Sequence, residues 1–534
     1  MPLNYGDILD AVALVRGSQT AISSDDADLS WTDYDRRTNA LARSLLDRGL
    51  QPGDKVCFLL FNGAPYLELL GACFKARLVH VNANFRYLAH EIDHILENSD
   101  SRLLVYDARL ADTVERLSAE RRASITLVEV GGLPSDGAIA YEALIEGRDG
   151  TPLAIERSPD DLIFIYTGGT TGYPKAVMWP HRNQVVGLLG GAITDGIFPQ
   201  AVAELAARLD DPKPYLRPLI ASPLMHASGL YAAITTLCNG GHIVLSDNSG
   251  RFDAAHLWSL VDRHGVDAIS LVGDTFAKPM LAALDEGSFD GGSVRLIGSS
   301  GVMWSREVKL GLLRHLPQAM LYDALGSSEA MGLGSSIMTA AGETRTATFK
   351  IGPSTKVFTE DGREVVPGSG EAGYLARGGT IPLGYYKDEA KTAAAFRIID
   401  GERYIVPGDL CTVEVDGTIH LLGRGSNCIN SGGEKIFPEE VEEALKRHRD
   451  VADALVFGMP DAKWGSVVMA VVRPVAGASA TDEALRAFLR DAVASYKIPK
   501  TIIFSPDELR LSNGKPDYSR AKAVFVAERG ASAS

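Results

Sequence analysis

The chain has 534 residues, of which 46% are hydrophobic and 23% charged, and a net charge of -15. That length exceeds what one hydrophobic core supports, so two or more domains are expected in an otherwise ordinary soluble globular composition. The negative balance argues against non-specific nucleic-acid binding and lends no pull on a polyanion, so any nucleotide site would have to rely on local donors, a lysine and a divalent cation.

Five cysteines, Cys57, Cys73, Cys238, Cys411 and Cys428, are scattered without a CxxC pair. An odd, sparse set suits buried thiols in a reducing compartment better than metal ligands or disulfides. The opening MPLNYGDILDAVA carries acids where a signal peptide needs bases. No apolar stretch approaches the roughly 20 residues of a membrane helix. A cytoplasmic location is expected, which leaves peripheral membrane contact and a homodimer open.

The first 110 residues alternate helix and strand patterns. Thr32 can cap a helix with Leu41, Leu45 and Leu46 on one face, ending near Gly49. A strand-like run follows from Lys55 to Phe61, a helix from Ala64 to Ala76, then VHVNAN, a helix around Ile92, and RLLVY from Arg102. This cadence predicts βαβ units and a largely parallel sheet.

Residues 162–177 read LIFIYTGGTTGYPKAV. An apolar β-branched run feeds Thr167-Gly168-Gly169-Thr170-Thr171-Gly172, a loop whose N–H groups and hydroxyls can surround an anion, with Lys175 in reach. It is not the Walker pattern, because the lysine follows Pro174 and no Ser or Thr comes next. Downstream, His226 sits in an apolar run, where a lone histidine is ordinarily a core residue. DAISLVGD and VRLIGSSG read as strands ending in polar turns, and open α/β sheets bind ligands beyond such ends. YDALGSSEA follows at Tyr322–Ala330. Residues 340–400 are turn-laden and suggest a small antiparallel subdomain, followed by YIVPGDL and GRGSNCINSGGEKIFPEEVEEAL. Pro438 and its acids suit a helix start, and the acids read as a solvated face. Two strands, a helix near Leu485–Val493 and a segment containing Lys515 complete the chain, with the tail after Arg529 expected to be disordered.

These motifs, in this order, resemble the adenylate-forming superfamily of acyl-CoA synthetases, luciferases and peptide-synthetase adenylation domains, most closely bacterial fatty-acyl-CoA synthetases. The resemblance implies an α/β fold. Residues 1–422 would form a large N-terminal domain of mainly parallel sheets flanked by helices plus a small β subdomain, binding ATP and the acid. Residues 423–534 would form a smaller, mobile α+β C-terminal domain. It implies further that Thr167, Gly168, Gly169, Thr170, Thr171 and Lys175 hold the ATP phosphates. Gly298, Ser299 and Ser300 would pack against adenine, and Gly301 and His226 would border the acyl pocket. Asp323 would accept from the adenine amino group, beside Ala324, Leu325, Gly326 and Ser328. Glu329 would bind Mg²⁺ and act catalytically, Asp409 would accept the ribose hydroxyls, and Arg424 would reach ribose or phosphate. Ser426 would be the hinge, Gly432 and Gly433 would open the way for CoA, and Lys515 would be the catalytic lysine.

The chain departs from the family pattern at several places. Ala176 replaces a glycine, Leu325 an aromatic, Val406-Pro407 an Arg-Thr pair, and Ser426 an Asp or Lys; Pro516-Asp517-Tyr518 stands for Ile-x-Arg. The implied reaction has two steps. A carboxylate attacks the α-phosphorus of ATP, giving an acyl-adenylate and pyrophosphate; the CoA thiolate then takes the acyl group and AMP leaves, after a rotation of the small domain. NANFRY, GSSG and VPGD incline the reading toward a medium- or long-chain or bulky fatty acid. An amide synthetase using an amine acceptor, or a non-catalytic acyl or nucleotide sensor, are the alternatives.

Overall fold

The computed structural model describes all residues except 1–2, 26, 168–173, 190–198, 211–215, 247–251, 288, 303, 343–347, 425–426, 428, 432–433, 462–464, 494, 512–513 and 533–534. At 424, 430, 434–435, 465 and 529–532 the backbone alone is described. The chain forms two compact units, Met1–Thr346 with Arg377–Ile405, and Ala347–Ala376 with Val406–Ser534.

The first unit holds two sheets. In one, Leu162–Thr167, Val79–Asn82, Lys55–Leu59, Ser101–Asp107, Thr126–Val130 and Ile139–Ala140 lie side by side and parallel. Lys175–Pro180 and then Gly384–Tyr385 extend it antiparallel beyond Leu162–Thr167. In the other, Thr20–Ser23, Ile243–Val244, Pro218–Ile220, Ala268–Leu271, Leu296–Ser300 and Met320–Leu325 run parallel, edged by antiparallel Asp28–Ser30 and Gly334–Met338. The expected βαβ cadence is thus present, with helices such as Trp31–Asp47 and Ala64–Lys75 burying apolar stripes. Leu41 and Leu45 of the first of these are fully buried. Its cap is Ser30, whose side chain accepts from Asp33 N, and not Thr32. The helix begins one residue before Thr32, so that hydroxyl falls inside the first turn.

In the second unit, Thr348–Lys350, Thr418–Arg424, Asp409–Val413 and Ala372–Arg377 pair successively and antiparallel, as the turn-laden stretch suggested. Val451–Asp461 and Gly465–Pro474 form a long hairpin joined in parallel by Thr501–Phe504. Helices Pro438–Lys446 and Asp482–Leu489 bury Val441, Leu445, Leu485 and Leu489 against it. Two expectations fail here. Glu442 is not on a solvated face but 4% exposed, because the four-residue spacing from Pro438 turns it toward the hairpin. The chain is not unstructured directly after Arg529, since the last helix runs Tyr518–Ser532; residues 533–534 lie outside the described set. Among the described residues no helix is long and apolar enough to cross a membrane. Cys57, Cys73, Cys238 and Cys411 are free and buried; Cys428 lies outside the described residues.

Candidate active site

Antiparallel pairing sets Thr167 opposite Lys175 at the mouth of the hairpin. The turn between them, with Gly168, Gly169, Thr170 and Thr171, lies outside the described residues. On the far side of Lys175–Pro180, Tyr385 pairs with Val177, and Tyr386 N donates to Ala176 O at 3.0 Å. That register brings the Tyr385 ring under Lys175, with Nζ 5.1 Å from its centroid. The same phenol donates to Glu329 Oε1 at 2.9 Å. A single tyrosine therefore stands between a cation and a carboxylate, touching both. Burial pulls the Lys175 ammonium below its usual range, helped by Lys391 and opposed by Asp388 and Glu329.

Glu329 leaves a tight turn. Ser327 Oγ accepts from the backbone N–H groups of Glu329 and Ala330 at 3.3 and 3.1 Å. The Ser328 carbonyl accepts from Trp179 Nε1 at 2.8 Å and from Tyr231 OH at 3.4 Å. Trp179 is fully buried on the Lys175–Pro180 strand. The strand that carries the lysine thus also fixes the turn that carries the glutamate.

Gly298, Ser299 and Ser300 end one parallel strand, and Asp323, Ala324 and Leu325 end its neighbour, Ser299 opposite Asp323. Thr167, Ser300 and Leu325 all fall at carboxyl ends of parallel strands, where open α/β sheets receive ligands. The Ser299 hydroxyl turns inward and accepts from Gly273 N at 2.9 Å. A Cβ on Gly298 would meet nothing closer than Ile269 O at 3.8 Å, so its smallness is not required by packing within the protein. Gly301 follows at φ +86, a conformation that favours glycine. Asp323 is ion-paired to Lys309. Gly326 and Leu325 lie at the strand end before the Ser327 turn.

His226 caps the helix Ala227–Cys238 and is half-buried. Its approach loop is clamped from the other sheet. Asn62 Nδ2 donates to Ile220 O and Ser222 O at 3.3 and 3.1 Å and its Oδ1 accepts from Leu224 N at 2.8 Å. Asn82 Nδ2 donates to Tyr166 O at 3.0 Å and Met225 O at 2.8 Å, while its Oδ1 accepts from Tyr166 N at 2.7 Å. Gly229 packs so tightly that a Cβ would lie 2.4 Å from Pro223 O.

In the second unit, Asp409 is half-buried at the start of its strand, in register with Arg424, whose side chain is outside the described set. Ser426, Gly432 and Gly433 are also outside it. Lys515 lies on an exposed turn, its carbonyl accepting from Leu511 N at 2.8 Å. Arg510 braces that turn through Gly514 O at 3.3 Å and grips Asp453 at 2.7 and 3.0 Å. Burial pushes the Asp453 carboxyl up, but the Arg510 hydrogen bonds outweigh it and hold it below its usual value. Tyr518, in the place of the family's arginine, donates to Glu442 Oε1 at 2.9 Å.

Trp179, Tyr231, Tyr385, Lys309 and Asn62 were not singled out from sequence. Lys309 left a signal, a lysine on the apolar side of a helix bearing Val308, Leu312 and Leu313. Tyr385 left none, because its meaning comes from a strand pairing across about two hundred residues.

Among the described residues no three His, Cys, Asp or Glu side chains converge as a metal cage. A single carboxylate such as Glu329, with phosphate oxygens and water completing the shell, matches the way Mg²⁺ is held beside nucleotides.

The AMP-binding enzyme family profile matches residues 9–386 and its C-terminal domain profile matches residues 440–515. The chain belongs to the AMP-binding enzyme family, the adenylate-forming enzymes. It is 38% identical over 538 residues to the 3-oxocholest-4-en-26-oate–CoA ligase of Rhodococcus rhodochrous, spanning 98% of this chain and 96% of that one. It is equally 38% identical to the medium/long-chain-fatty-acid–CoA/3-oxocholest-4-en-26-oate–CoA ligase of Mycobacterium marinum, over 97% and 96% of the two chains. In fold it resembles ATP-bound MatB from Rhodopseudomonas palustris, with a TM-score of 0.79, 23% identity and 98% of each chain covered.

Proposed function

We propose that this AMP-forming acid–thiol ligase activates a medium- or long-chain or sterol-like bulky carboxylic acid as its acyl-adenylate and passes the acyl group to CoA. The observation that carries the reading is the Lys175–Tyr385–Glu329 arrangement, a cation and a carboxylate held apart on one phenol. Such a pair suits a polyanion and its counter-cation. Whole-length identity to ligases named for fatty and oxocholestenoic acids supports the acid class.

In this reading Lys175 neutralises phosphate charge, Thr167 donates to a phosphate oxygen, and together they hold the leaving pyrophosphate in line, which is most of what phosphoryl-centre chemistry asks of a protein. Glu329 would hold Mg²⁺, which when bound screens the phosphate charge. Asp323 accepts from the adenine amino group, and Asp409 binds the ribose hydroxyls through two carboxylate oxygens. Lys515 donates to the developing charge between carboxylate and α-phosphate. The carboxylate oxygen bonds to phosphorus as the bond to pyrophosphate breaks; the CoA sulfur then bonds to the acyl carbon as AMP leaves. The mobile part begins at residue 423, with Gly432 and Gly433 admitting the thiol arm. The site of action is the cytoplasm.

The test is a panel of carboxylic acids graded from acetate to palmitate, with an aromatic acid and a sterol side-chain acid, scored by CoA-dependent AMP release. Turnover that rises with chain length or bulk is expected. Preference for acetate or the aromatic acid, or AMP release independent of CoA but dependent on an amine, would overturn it.

A further inference from the structure

Lys309 stands out among the charged side chains of the first unit. It lies on the helix Arg306–His315, whose Val308, Leu312 and Leu313 are packed in the core, and is itself only 7% exposed. Its aliphatic stem is spent in that core, and its ammonium lies 5.2 Å from the centroid of the buried Trp304 ring. The ammonium emerges at one place, 2.8 Å from Asp323 Oδ2. Burying an ammonium is costly, so a lysine here needs a compensating anion. The helix is fixed in turn, since Ser305 N and Oγ donate to Asp274 Oδ1 at 2.8 and 3.1 Å.

Asp323 stands at the end of its strand, beside Ser299 in register. Among the described residues no second hydrogen bond reaches its carboxylate, so Oδ1 is free to accept. Burial pushes the Asp323 carboxyl toward its protonated form and Asp274 adds to this, while Lys309 opposes both. A protonated carboxyl is a donor as well as an acceptor and pairs with an oxo group as readily as with an amino group. An ionised one, held by one oxygen, presents only an acceptor.

We propose that Lys309 sets the base preference of the nucleotide site: by clamping Oδ2 of Asp323 it keeps Oδ1 an acceptor for a 6-aminopurine and repels a 6-oxopurine. Lys309 is thereby a positioning residue, acting on the nucleotide through Asp323. The inference rests on the reading that Asp323 meets the base, and it adds the residue that makes this contact discriminating. The discrimination arises because an oxo group facing an ionised carboxylate leaves two acceptors opposed, which a site pays for as an unmet hydrogen bond.

The experiment is calorimetric binding of ATP and of ITP to the full chain without acid or CoA, for the wild type and for K309M, K309R and D323A. The wild type should prefer ATP by about tenfold or more, as a site built to hydrogen-bond an amino group does. In K309M the ATP-to-ITP ratio should fall toward one, chiefly through weaker ATP binding, whereas K309R, which keeps the charge and the donor, should retain it. Should K309M not fold, K309Q supplies the same comparison with a neutral donor. An equal loss of ATP and ITP affinity, or an unchanged ratio, in the Lys309 variants overturns the proposal. D323A separates the two levels. If it too leaves the ratio unchanged, the reading of Asp323 itself is wrong; if it abolishes the preference while K309M does not, only the role of Lys309 fails.

Discussion

Trp179 donates its indole N–H to the carbonyl of Ser328 at 2.8 Å, joining the strand that starts at Lys175 to the turn that ends at Glu329. The two residues are separated by about one hundred and fifty positions, yet the bond lets neither motif move without the other. Trp179→Phe keeps an aromatic ring but removes the donor and the pyrrole half of the buried indole, leaving that carbonyl only the weaker Tyr231 contact at 3.4 Å. The expected cost is about 1–2 kcal/mol of stability, read as a lower midpoint in urea. Carboxylate-dependent pyrophosphate release should fall about tenfold, since small misplacements of a charged group are expensive in a preorganised site.

Lys515→Ala should separate the two half-reactions. Adenylation, followed as acid-dependent ATP–pyrophosphate exchange, should slow by roughly 10²–10³ through loss of a charged transition-state donor. Thioester formation from a supplied acyl-adenylate should persist. Equal damage to both steps would contradict the assignment.

Gly229 has no room for a methyl group, because the atoms in the way are the backbone carbonyls of Pro223 and Ser222, at 2.4 and 2.6 Å from a Cβ. Gly229→Ala must therefore push the loop that leads into His226. A destabilisation of about 1–3 kcal/mol is expected. The acid chain-length profile should change more than the KM for ATP, which the same panel of acids would reveal.

Glu442 gives the second unit a pH dependence of definite sign. Burial, with Glu439 adding to it, pushes this carboxyl up to about 7, against the opposing pulls of Lys446, the Val456 N–H and Arg510; Tyr518 donates to it. Its folded value exceeds the unfolded one, so the folded state holds an extra proton between roughly pH 4.5 and 7. The associated stability is complete below that window and lost as pH rises through it, by about 3 kcal/mol. Thermal melts of wild type and Glu442→Gln should show the difference shifting in favour of the variant from pH 5 to pH 8. A constant difference would mean that the group does not titrate in that range.

What could be read from sequence divides along a physical line. The parallel strands were legible because their apolar runs are local and end in polar turns, as in VRLIGSSG. Lys175 and Glu329 could be picked out because motif spacing is local as well, and the structure brings both to Tyr385. Tyr385 and Trp179 were not, since a phenol or indole acquires its role only from partners that distant chain segments deliver. The burial of Glu442 is not local information either: four nearby acids look solvated until a hairpin arrives to cover one of them. Thr32 is not the cap because the helix begins one residue before it, where Ser30 offers an equally good oxygen.

The two asparagines, Asn62 and Asn82, act as tie-bars: each belongs to the Thr167-bearing sheet or its loops, and each fastens the path into His226. Because those bars attach to main-chain atoms, the helix Ala227–Cys238 can exchange its side chains without loosening its seat. Substitutions on that helix can therefore accumulate while the path into it and the Thr167-bearing sheet keep their mutual geometry.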